Sequence, residues 1–76
     1  MTTDLAVTWG ERLQAERRRQ KLSVRELAQR AEISTQYVYL LQRGRYAPSD
    51  ELRVKIAAAL GVKVEDIFSY PQDVAS

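Results

Sequence analysis

The sequence predicts an all-α fold, a compact domain of five short helices. Three observations point there. Hydroxyl residues of the kind that cap helix amino ends (Thr8, Ser23, Ser34, Ser49) stand ahead of runs in which apolar residues return every three or four positions. The chain has 76 residues, room for one domain and one core, and it contains neither cysteine nor histidine, so no disulfide or zinc site organises it.

Thr8-Trp9-Gly10-Glu11 reads as a capping box and places the first helix start at Thr8, with Trp9, Leu13 and the stem of Arg17 on one stripe and an end near Lys21. Ser23-Val24-Arg25-Glu26 is a second capping box, bracketed by Leu22 and Leu27 at the positions of a hydrophobic staple. It opens a helix over 24–31 whose small apolar face (Leu27, Ala28, Ala31) lets another helix come close. Only Glu32 and Ile33 precede the next cap, Ser34, and so short a link forces a steep crossing of helix-turn-helix type. The third helix runs from Ser34 to about Arg43, turns Val38 and Leu41 inward and stops at Gly44. Ser49 with Asp50 and Glu51 opens the fourth, whose stripe is Leu52, Ile56, Ala57 and Leu60 and whose end is Gly61. A last short helix over 64–68 closes the core. The expected organisation is a flexible N-terminus over 1–7, the folded domain over 8–69 with the helix-turn-helix at about 23–43, and a flexible tail over 70–76.

Composition narrows the function classes. Hydrophobic residues make up 45% and charged residues 29%, ordinary for a soluble globular domain, and no apolar run reaches the ~20 residues of a membrane span. The amino end lacks the pattern of a secretion signal, so the expected location is cytoplasmic. Catalysis has little to work with: the acidic pairs Asp50/Glu51 and Glu65/Asp66 sit in first turns, where the helix dipole accounts for them, and the three glycines form no phosphate loop. No catalytic residue, cofactor, metal or small-molecule ligand is expected. Charge is uneven: residues 12–45 carry nine basic groups against three acidic, net +6, while the rest carries three against seven, net −4. That split favours one side facing a polyanion.

The spacing Leu22-Ser23, Leu27-Ala28, Ala31-Glu32-Ile33-Ser34, Val38, Leu41, Gly44, Pro48 resembles the helix-turn-helix of the Cro and phage-repressor (XRE) family. Trp9-Gly10, Arg17 and the run Ile56 to Val62 extend the likeness over roughly residues 9 to 68. The resemblance implies a lambda-repressor-like domain that binds double-stranded DNA, with the third helix in the major groove and the second across the backbone. Three positions depart from the family: Glu32 where glycine is usual, Gln42 where a glutamate often pairs the first-helix arginine, and Arg53 where an apolar residue is common. With Gln42, Arg17 keeps at most a hydrogen bond and is freer to reach phosphate.

Because Val38 and Leu41 are committed inward, Thr35, Gln36, Tyr39 and Leu40 are the candidate base-reading residues. Gln36 suits adenine, Thr35 a base edge or thymine methyl, and Leu40 only apolar contact with thymine, unless it is simply exposed or joins the core. Phosphate contacts are expected from Ser23, Arg25, Ser34, Tyr37, Arg43, Arg45 and Arg17. One recognition helix makes too few base contacts for genomic specificity, so a homodimer on an inverted repeat is expected. Val64, Ile67, Phe68 and Tyr70 are its candidate interface, being more apolar than one short helix can bury inward. The rival expectation is an antitoxin or other protein-interaction module on the same fold, with a toxin as partner. Activator and repressor are not distinguishable from sequence.

Overall fold

The computed structural model describes residues 3–45 and 47–70; Tyr46 and the expected tail from Pro71 onward lie outside the described residues. Five helices follow one another: α1 (Thr3–Arg19), α2 (Val24–Ala31), α3 (Thr35–Gln42), α4 (Asp50–Leu60) and α5 (Val64–Phe68). Their principal contacts form a closed circuit, α1 on α3, α3 on α2, α2 on α4, α4 on α5 and α5 back on α1. Inside lie Trp9, Leu13, Leu27, Val38, Leu41, Ile56, Leu60, Ile67 and Phe68, each nearly inaccessible to solvent. Among the described residues no helix is long and apolar enough to cross a membrane.

The caps expected at Ser23, Ser34 and Ser49 are present. Each hydroxyl oxygen accepts the backbone N–H three residues on: Glu26 and Tyr37 at 3.0 Å, Leu52 at 3.3 Å. At Ser23 the box is complete, because the Ser23 N–H donates to Glu26 Oε1 at 2.8 Å. This hydrogen bond stabilises the carboxylate and holds the Glu26 pKa below its ordinary value. Glu32 follows α2 in the left-handed region at φ 60°, where its N–H closes the helix, and this conformation costs a side-chain-bearing residue about 1 kcal/mol.

The first helix corrects the sequence reading. It begins at Thr3 rather than Thr8 and ends at Arg19 rather than near Lys21, so Thr8 lies inside it and residues 3–7 belong to a helix. Tertiary packing explains the earlier start: Ala6 is buried and Leu5 packs on the core, extending the Trp9–Leu13 stripe backwards by one turn. Gly10 sits where this helix meets α3. A Cβ there would stand 2.4 Å from the Leu41 carbonyl oxygen and 2.7 Å from that of Gln42, so only glycine allows the two backbones to meet.

α5 closes the far end around Trp9. The indole N–H donates to the Ser69 carbonyl at 2.9 Å, and Arg12 donates to the Ser69 hydroxyl at 2.7 Å. Phe68 and Tyr70 each meet the indole edge-on with centroids 5.4 Å away. Arg53, standing where an apolar residue is common in the family, lies over the indole at 4.9 Å, donates to the Tyr70 hydroxyl and pairs with Asp50. The structure separates the four candidate dimer-interface residues. Ile67 and Phe68 are buried in the chain's own core and Val64 packs partly against it, leaving Tyr70 as the exposed member of the four. A helix that plugs the end of a bundle buries more of its circumference than one lying along a side.

Two outcomes test this packing. Gly10→Ala gains up to about 1 kcal/mol of helix propensity, yet the rigid carbonyls facing the new methyl impose an overpacking cost of about 1–3 kcal/mol. Gly61→Ala meets nothing within 4 Å and bears only the left-handed backbone cost at φ 68°. Thermal unfolding should therefore show Gly10→Ala as the more damaging substitution, and the reverse order would refute the close approach of α1 to α3. For Glu26, the lowered folded pKa means that its contribution is present above the unfolded-state value and is lost as pH falls through the folded one. An NMR titration should find its midpoint below that of an unstructured glutamate and moved upward by Ser23→Ala.

Candidate nucleic-acid interface

α3 divides along its length because its period sends every third or fourth residue the same way. Val38 and Leu41 are buried; Thr35 and Gln36 are exposed, Tyr39 is 48% exposed, and Leu40 is half-buried on the flank of this face. The structure thus brings the four base-reading candidates to the outer side of one helix. Leu40 is shared between that side and the body of the protein.

The phosphate candidates fall at the two ends of the helix-turn-helix. At the amino ends of α2 and α3, the first N–H groups have no acceptor within the helix, and Ser23 and Ser34 keep a hydroxyl proton to donate because each oxygen accepts its cap hydrogen bond. Arg25 is exposed just inside α2. At the other end, α3 closes through Arg43 and a left-handed Gly44, with the Gly44 N–H on the Leu41 carbonyl and the Arg45 N–H on that of Leu40. This turn throws Arg43 and Arg45 outward, both exposed. Gly44 is itself pinned: a Cβ would lie 2.7 Å from Val7 Cα and Cγ2, so the α1 extension buttresses the turn that carries the two arginines.

Two candidates stand apart. Tyr37 is half-buried, packs against the core and lines a shallow recess with Ser49, Glu51, Leu52 and Lys55, which limits it to a flanking role. Arg17, expected to be freer to reach phosphate, is instead held inside the protein: Nε donates to Gln42 Oε1 at 2.8 Å and Nη1 to the Leu22 carbonyl at 2.6 Å. The hydrogen bond to Gln42 was expected; the one to Leu22 was not. Sequence reasoning also passed over Val7 and the steric role of Gly10. For these the only signal was a glycine in mid-helix, which costs stability unless something needs the space.

Electrostatically, the arrangement suits a polyanion. The guanidinium groups of Arg25, Arg43 and Arg45 make no hydrogen bond or ion pair with other described residues, whereas Arg19 is taken up by Glu16 and Arg53 by Asp50. The described faces therefore offer free cations and free backbone amides on either side of a helix with mixed polar and apolar side chains.

Known proteins are similar to this chain in sequence and fold. The pattern of the helix-turn-helix family matches residues 13–67. An uncharacterised helix-turn-helix-type transcriptional regulator of Methanocaldococcus jannaschii is 42% identical over 52 residues, covering 68% of this chain and 79% of the relative. The immunity repressor protein of Bacillus phage phi105 is 38% identical over 61 residues, covering 80% of this chain; the chain spans 42% of that repressor's length. Among solved structures, the restriction-modification controller protein C.AhdI from Aeromonas hydrophila superposes with a TM-score of 0.80 at 32% identity, covering 86% of this chain and 97% of the controller. With the family pattern spanning both the paired helices and the flanking ones that hold them, the chain belongs to the helix-turn-helix family of DNA-binding transcriptional regulators and is not an enzyme.

Proposed function

We propose that the chain is a Cro-like repressor or controller that binds a specific double-stranded DNA site as a homodimer on an inverted repeat, in the cytoplasm and associated with the nucleoid. One observation carries this reading: the exposed side of α3 bears Thr35, Gln36, Tyr39 and the edge of Leu40, bounded at both ends by amides and arginines with no other partner. Laid in the major groove, that side reads base edges. Gln36 is the group that can bond an adenine bidentately, while Tyr39 and Leu40 favour thymine methyls. Ser23, Arg25, Ser34, Arg43 and Arg45 fix register on phosphate, with Tyr37 at the flank. The dimer follows from arithmetic, since four side chains on an eight-residue helix read a few base pairs only. The phage repressor and restriction-modification controller among the chain's relatives support the same assignment.

Anisotropy titrations of a mixed-sequence duplex at two salt concentrations test the reading at its base. Affinity should fall steeply with salt, and absence of binding at low salt would sink it in favour of a protein-interaction module. On a selected cognate site, Gln36→Ala should cost about 1–3 kcal/mol and relax one base position, whereas Arg43→Ala should weaken all sequences alike. Identical behaviour of the two variants would refute the division of labour along α3. Two chains per bound site, with half-site centres about 34 Å apart, are expected from the symmetry.

A further inference from the structure

The Arg17 guanidinium is half-buried where α1, the start of α2 and the end of α3 meet, and both acceptors it finds are uncharged: the Gln42 side-chain oxygen and the Leu22 carbonyl. The ion pairs formed among the described residues are Arg19 with Glu16 and Arg53 with Asp50. Arg17 therefore retains a positive charge that no carboxylate among the described residues pairs with.

Its position gives that charge a use. The Leu22 carbonyl and the Ser23 N–H belong to one peptide group, whose oxygen is held by Arg17 and whose N–H is held by the Glu26 carboxylate. The amino end of α2 thus already carries one negative charge, on Glu26. Arg25 balances it, and the excess that would attract a phosphate at this helix end comes from Arg17.

We propose that Gln42 sets DNA affinity through Arg17: a neutral acceptor orients the guanidinium yet leaves its charge to act on a phosphate docked at Ser23 and Arg25. A carboxylate at position 42 would bind the same guanidinium more strongly, because a charge-assisted hydrogen bond exceeds a neutral one, and would cancel its field. Stability and DNA affinity are therefore opposed at this position. Gln42 touches no DNA group and acts as a positioning residue. The proposal rests on the reading of α2 and α3 as the DNA-binding unit.

The test compares the parent chain with Gln42→Glu and Gln42→Met, each by thermal unfolding and by binding to a mixed-sequence duplex over a series of salt concentrations. Gln42→Glu should melt at a higher temperature while binding about five- to tenfold more weakly at low salt, with a slope of log K against log salt shallower by up to about 0.9 and a difference that closes at high salt. Gln42→Met keeps the charge and loses only the orienting bond, so it should melt lower and keep the parent's slope. A purely structural role would move stability and affinity together, so the opposite movement in Gln42→Glu is the signature. The proposal is overturned if Gln42→Glu binds with the parent's affinity and slope, or if it loses stability and affinity in step. Failure of the parent itself to bind duplex at low salt would overturn the DNA-binding reading and this proposal with it, whereas normal parent binding with an unaffected Gln42→Glu overturns the proposal alone.

Discussion

α1 can come within backbone contact of α3 only because residue 10 has no side chain, and most of what positions α3 follows from that approach. Val7, Gly10 and Arg17 recur at the three- and seven-residue spacings that put them on one stripe of α1. Each meets the carboxyl end of α3: Val7 the Gly44 turn, Gly10 the carbonyls of Leu41 and Gln42, Arg17 the Gln42 side chain. The stripe works as a rail. It fixes the height of α3 above the body of the protein and hence how far Thr35, Gln36 and Tyr39 project.

A helix of eight residues has few side chains to divide between holding and reading. Two, Val38 and Leu41, do the holding from below, and burial of each is worth roughly 1.5–3 kcal/mol. The rest of the restraint comes from outside the helix, through its caps and the α1 rail. This lets the outer face stay chemically unconstrained by folding. The same economy appears at Trp9, where one ring gathers Phe68, Tyr70, Arg53 and the Ser69 carbonyl and so ties α1, α4 and α5 together.

The starts of α2, α3 and α4 were legible because a serine cap is a local device: its hydroxyl needs only the amide three residues on, and sequence alone brings the two together. Thr8 misled for the same reason. A threonine followed three residues later by glutamate is equally compatible with a helix interior, and it is Leu5 and Ala6 that decide the matter, by packing on the core. The face of α3 was legible from Val38 and Leu41. What was not legible depended on residues distant in sequence. Nothing near Arg53 announces that an indole 44 positions away in the chain will take its charge, and the Leu22 carbonyl that captures Arg17 is visible only once α1 and α2 have been folded against each other. Ile67 and Phe68, on a helix expected to close the core, were also counted as surplus apolar surface; a helix lying across the end of the bundle buries both.

The closed circuit of helix contacts means that the chain has two ends in sequence but none in packing. α1 and α5, the first and last helices, are neighbours, so each is flanked by two others in the circuit like the helices between them. A linear stack could lose its outermost member and leave the remainder standing, like a repeat array shedding a terminal unit. A circuit cannot. Releasing any one member strips both of its neighbours of a substantial part of their contacts, so partly assembled forms gain little over the disordered chain, which favours all-or-none folding. In so small a protein the two helices of the motif share one cooperative unit with their supports: where α3 is seated, all five helices are in place.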